Sequence, residues 1–81
     1  MLAENSPKPQ SYLYKAELES RRGNYKVAKA YIDRAIIRMP HSVDALQVKA
    51  NIEKKLGNKK EYKRIIAKIK ELEIKNNERI K

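Results

Sequence analysis

Residues 23–40 read GNYKVAKAYIDRAIIRMP, and the period inside this stretch decides the fold. Val27, Ala28, Tyr31, Ile32, Ala35, Ile36 and Met39 recur at steps of three and four, the spacing that puts apolar side chains on one face of an α-helix. Gly23-Asn24 precedes the stripe and Pro40 follows it. Glycine can take the positive φ that ends a preceding helix; proline disfavours helical backbone at Met39 and has no N–H to continue the ladder. Ala28 and Ala35 lie two turns apart on the stripe, so a second helix can approach where Leu or Ile would hold it away. Helix propensity alone also accounts for alanine, but the turn signal before and the proline after favour packing.

Working outward, 81 residues make one small domain with a modest core. The five aromatic residues are all Tyr, which leaves the core to Ile, Leu, Val and Ala. The absence of Cys excludes disulfides and thiolate metal sites. No apolar run is long enough to span a membrane, and Met1-Leu2-Ala3-Glu4-Asn5 lacks the basic-then-apolar layout of a signal peptide. The expectation is a soluble chain in the cytoplasm or another aqueous compartment.

Twenty Lys and Arg against ten Asp and Glu give a net charge of +10, which favours acidic partners, anionic surfaces or nucleic acid. The excess is spread out: residues 1–40 carry eight basic and four acidic groups, residues 41–81 twelve and six. Abundant Ile, Lys and Asn are also what an A/T-rich coding bias produces, which is a competing explanation of the charge.

In chain order, residues 1–8 have no period and form an expected lead-in. A first helix is predicted from Pro9 to about Arg22, with Leu13, Ala16 and Leu18 inward and Tyr12 at the edge. The stripe gives a second helix over about 25–38. Ser42 is a good N-cap for a third over about 43–56, with Leu46, Ala50, Ile52 and Leu56 inward and Asp44 in its first turn. Gly57-Asn58 closes it. A fourth, with Tyr62, Ile65, Ile66, Ile69 and Leu72 at helical spacing, starts near Lys60 and is expected to run toward Ile80, fraying at Asn76-Asn77.

Gly23 and Gly57 lie 34 residues apart, and the same shift carries Tyr12 onto Leu46, Lys15 onto Lys49 and Ala16 onto Ala50. It also carries Leu18 onto Ile52, Glu19 onto Glu53, Asn24 onto Asn58 and Ile32 onto Ile66. Two helix-turn-helix units follow, residues 9–42 and 43–75, with a basic tail or frayed helix end at 76–81. This period, with a bulky apolar residue, then Ala, then Gly-Asn-Tyr, Ala, Ala and Pro, resembles the tetratricopeptide repeat. The resemblance covers roughly residues 9–72 and is strongest in the first unit, where Tyr12, Ala16, Gly23, Tyr25, Ala28, Ile32, Ala35 and Pro40 fill the family's slots. In the second, Lys59 replaces the turn Tyr, Tyr62 and Ile69 replace the two Ala, and no Pro follows. It reads as a degenerate terminal repeat.

The resemblance implies an all-α fold, four antiparallel helices in a short right-handed superhelical stack, and a concave groove lined by the first helix of each repeat. By the same resemblance the groove residues are Gln10, Leu13, Tyr14, Glu17 and Arg21, with shifted equivalents Asp44, Gln47, Val48, Asn51 and Lys55. A protein or peptide partner, acidic by charge, would lie there. One subgroup of the family clamps the acidic C-terminus of heat-shock chaperones with Lys, Asn and Arg. Matched to the first two repeats of such a clamp, Leu13, Glu17 and Val48 stand where Lys and two Asn belong; matched to the last two, Tyr14, Asp44 and Val48 replace Asn, Lys and Arg. Chaperone-tail binding is therefore not expected.

Two repeats are few for a stable stack. With no further helix expected to cover the last repeat, the stripe Ile65, Ile69 and Leu72 is expected to be open, for a homodimer contact, a protein partner or the rest of a longer repeat array. The alternative function is electrostatic binding of nucleic acid or another anionic surface by Lys59, Lys60, Lys63, Arg64, Lys68, Lys70, Lys75, Arg79 and Lys81. Against it, Glu61, Glu71, Glu73 and Glu78 interrupt the run, and no aromatic residue apart from Tyr62 interleaves to stack bases. An enzyme is not expected. His41 is the single histidine, without a nucleophile or carboxylate constellation, and neither a phosphate-binding glycine loop nor metal-ligand spacing is present, so no cofactor or metal is expected.

Overall fold

The computed structural model describes residues 8–80, with side chains as far as Lys75. Most of the expected lead-in over residues 1–8 lies outside the described residues. Four α-helices account for the described chain: α1 Pro9–Arg21, α2 Tyr25–Arg38, α3 Val43–Leu56 and α4 Lys59–Ile80. Each boundary falls within a residue or so of its turn signal. Pro9 occupies the first position of α1, where its missing N–H had no partner to lose. Ser42 caps α3, its Oγ accepting the Ala45 N–H at 3.2 Å.

The two glycine turns are built from the same bonds. Gly23 and Gly57 both have φ of 85°. Asn24 N–H donates to the Glu19 carbonyl at 2.9 Å and Gly23 N–H to that of Ser20 at 3.1 Å; Asn58 and Gly57 repeat the pattern with Glu53 and Lys54 at 2.9 and 3.1 Å. This is the Schellman motif, which satisfies the orphan carbonyls of a helix end. Nothing lies within 4 Å of where a Cβ would stand on either glycine, so left-handed backbone selects glycine here and crowding does not. Even the side chains agree: Asn24 Nδ2 donates to Glu19 Oε1 at 2.8 Å, and Asn58 Nδ2 to Glu53 Oε1 at 2.6 Å.

The fold is all-α, two helical hairpins packed in succession. α1 pairs with α2 and α3 with α4, while α2 and, less extensively, α1 meet α3. Among the described residues the backbones of α1 and α2 do not approach that of α4, so the helices form an open row and not a closed bundle. The molecule measures 41 × 36 × 17 Å. Every helix keeps a solvent face, with exposed residues such as Tyr14 on α1, Ile37 on α2, Gln47 on α3 and Lys63 on α4.

Small residues let the helices close up. Ala16 of α1, Ala28, Ile32 and Ala35 of α2, and Ala45 and Ile52 of α3 are all fully buried in one cluster, which Leu13 joins. Val27 falls at the exposed edge of the stripe and Leu18 is half-buried. A second cluster sets Leu46 and Ala50 of α3 against Ile65 and Ile69 of α4, with Tyr62, Ile66 and Leu72 half-buried around it. This corrects the expectation of an open stripe at Ile65, Ile69 and Leu72. Their spacing is that of α4's contact with α3, so Ile65 and Ile69 are consumed inside the hairpin.

Beside the apolar cluster that α2 shares with α3, polar contacts also join the hairpins. Glu53 is fully buried, with Lys29 Nζ 3.1 Å from its Oε2 and the Asn58 amide on its Oε1. One turn away the polarity reverses, Lys49 Nζ lying 2.8 Å from Asp33 Oδ1. A glutamate reads as a surface residue in sequence, and this one was not foreseen in the core. Burial pushes the Glu53 carboxyl up, but the Asn58 hydrogen bond and the ammonium groups of Lys29 and Lys49 outweigh it and hold the group below its ordinary value of 4.5.

Two outcomes follow. Ala28→Leu should destabilise the fold by roughly 1–3 kcal/mol through overpacking, read from thermal melts; an unchanged melting temperature would contradict the close α1–α2 approach. For Glu53, a folded pKa below the unfolded one means that its contribution is complete above the unfolded value of about 4.5 and fades as pH falls through the folded one. Glu53→Gln should therefore cost about 1–2 kcal/mol at neutral pH, and the gap to the parent chain should close in acid. A gap independent of pH would remove the charge from this account.

Candidate functional site

α1 and α3 lie side by side, with corresponding residues 34 positions apart. Along their junction run two open depressions. One is lined by Ser20, Arg21, Tyr25, Asn51, Lys54 and Lys55, the other by Glu17, Ser20, Arg21, Val48 and Asn51. They share Ser20, Arg21 and Asn51, which makes them one continuous trough.

Of the ten residues assigned to a groove, Glu17, Arg21, Val48, Asn51 and Lys55 are brought together here. Gln10, Tyr14, Asp44 and Gln47 are exposed but line neither depression. Gln47 has an indirect part, its Nε2 donating to Asn51 Oδ1 at 3.4 Å. Leu13 is a correction: it is buried in the first core cluster at 9% exposure and offers no groove surface. Being apolar, it turns into the core where Gln47, at the same register, stays in water.

Three lining residues were missed. Ser20 and Lys54 are themselves 34 residues apart, so the shift that paired Arg21 with Lys55 also pairs these one step earlier. Tyr25 had no such signal, since it belongs to the first turn of α2 and enters the trough only because the Gly23 turn brings that end back beside α1. Lys54 is steadied from α4, its Nζ lying 5.8 Å from the Tyr62 ring centroid.

The trough is electrostatically lopsided. Lys54 and Lys55 stand at one end and Glu17 at the other, with Arg21, Asn51 and Ser20 lining both depressions between them. Arg21 can grip a carboxylate with two parallel N–H bonds, the lysines add point charge, and the Asn51 amide can bond an extended backbone in both directions. Tyr25, half-buried, supplies an apolar wall.

His41 is exposed in the turn between α2 and α3. Among the described residues no group of three or more His, Cys, Asp or Glu side chains is placed to hold a metal ion. None of the described helices is long and apolar enough to cross a membrane. Compared with models of known protein families, with curated proteins and with solved structures, the chain matches none.

Proposed function

We propose that this chain is a non-enzymatic interaction module of tetratricopeptide type that holds an acidic segment of a partner protein in the trough between α1 and α3. The observation that carries this reading is the convergence of Arg21, Lys54 and Lys55 on Asn51, cations from two different helices around an amide able to bond a peptide backbone. Two helical hairpins with the same capping bonds, 34 residues apart, support the family assignment.

A second reading places the partner on α4, whose outer face exposes Lys60, Lys63, Arg64, Lys68 and Lys70. Such a face attracts nucleic acid or another anionic surface without reading its sequence. Glu61, Glu71 and Glu73 dilute it, and Arg64 is partly engaged by Glu61 at 3.4 Å. The trough, with cations from two helices beside the Asn51 amide, is the better recognition surface.

The test is a screen of synthetic Asp- and Glu-rich peptides against their Asn and Gln analogues. Binding should favour the acidic set, and Arg21→Glu with Lys55→Glu should weaken it by roughly tenfold or more. Lys63→Glu with Lys68→Glu on α4 should leave it nearly unchanged. A larger loss from the α4 pair, or capture of single-stranded nucleic acid in preference to every peptide, would move the working surface to α4.

A further inference from the structure

The seam between the hairpins has a counterpart on the free side of α1. On α3, the residues turned toward α2 include Ala45, Lys49, Ile52 and Glu53, and the 34-residue shift carries these onto Ser11, Lys15, Leu18 and Glu19. The chemistry is nearly conserved across the shift: a small residue, the same lysine, a branched aliphatic, the same glutamate. The burial is not. Ala45, Ile52 and Glu53 are fully covered, while Ser11 and Lys15 are exposed and Leu18 and Glu19 only half-buried. Tyr14, at the register of half-buried Val48, is 67% exposed.

Glu19 is also held as its counterpart is. Its Oε1 takes the Asn24 amide, as Glu53 Oε1 takes that of Asn58. The difference lies at Oε2: Glu53 meets Lys29 of the adjoining helix at 3.1 Å, whereas Glu19 has a loose 3.7 Å contact with Arg22 of its own turn, a side chain 62% exposed. Among the described residues no carboxylate meets Lys15 as Asp33 meets Lys49, and its Nζ rests 5.7 Å from the Tyr31 ring centroid. Among the described residues α2 and α3 are the helices that touch α1.

We infer that the face Ser11, Tyr14, Lys15, Leu18 and Glu19 is a docking surface for a helix of another protein, one carrying a basic residue opposite Glu19 and an acidic residue four positions later opposite Lys15. The inference is independent of the trough reading, because it uses a different face of α1. The occupant's pattern is that of α2, where Lys29 and Asp33 pair with Glu53 and Lys49 and Ile32 packs between them.

A second copy of this chain fits poorly. The α4 residues at the registers of Lys29, Asp33 and Ile36 are Lys63, Ala67 and Lys70. Stacking α4 on α1 would leave Lys15 without an acid and set Lys70 on apolar ground, between two chains that each carry +10.

The probe is a peptide with the sequence of residues 25–38, stapled as a helix through positions 30 and 34 and titrated into the full chain while backbone amide resonances are followed. Shifts should concentrate on Ser11, Tyr14, Lys15, Leu18 and Glu19. Lys15→Glu alone, which spares the Asn24 bond, and Lys15→Glu with Glu19→Lys should each weaken binding, the pair by roughly tenfold. A peptide with Lys29→Glu and Asp33→Lys should then regain affinity for the doubly changed chain, provided its helix content matches the parent. No saturable binding, shifts confined to the trough, α4 or the buried core, or indifference to the charge swap would overturn the inference. Concentration-dependent shifts of the same α1 residues without peptide would give the face to a second copy and overturn the assigned occupant.

Discussion

A carboxylate wholly out of water holds the centre of this molecule. Isolated, the charge of Glu53 would be too costly to bury. It is tolerable because the Asn58 amide donates to Oε1 and the Lys29 ammonium lies 3.1 Å from Oε2, one from the turn that follows its own helix and one from α2. The arrangement can be satisfied only when α2, α3 and the Gly57 turn are all in place, so the group acts as a register mark as much as a source of stability. The reversed pair, Lys49 with Asp33, allows α2 to lie on α3 in one sense along its axis.

Everything that makes the trough depends on that register. Its two walls come from helices in different hairpins, and Arg21 can face Lys54 and Lys55 across Asn51 only while the first hairpin stays seated on the second. The fully buried alanines serve the same end from the apolar side. Ala16, Ala28, Ala35 and Ala45 add little area each, but they set how closely the helix axes approach and hence how wide the trough is.

The hairpins were legible in the sequence because their signals are local. Gly-Asn at 23–24 and 57–58, Pro40 and Ser42 each act within one turn of backbone, and the apolar steps of three and four need no knowledge of a partner. The family resemblance and the 34-residue shift carried that reading to five of the eight residues that line the trough. It failed where outcome depends on which neighbour a helix meets. Leu13 and Gln47 share a register yet separate by polarity, and Ile65 and Ile69 were counted as an outer surface when their spacing already described an inner one. Glu53 was invisible because its burial belongs to the crossing of α2 over α3, which no single helix encodes. Tyr25 entered the trough through the path of a turn.

The open row of helices also dictates how the molecule comes apart. Since α4 approaches α3 and α1 approaches α2 and α3, most contacts join segments close together in the chain, a topology that folds quickly and without long searches. In a stack of this kind the stability is approximately the sum of a contribution from each hairpin and one from the interface between them. The core cluster shared by α1, α2 and α3 runs through that interface, so the first hairpin completes its burial only on the second. Weakening it would let the two units melt at separate temperatures, and amide exchange in α1 and α4 would cease to report one common opening.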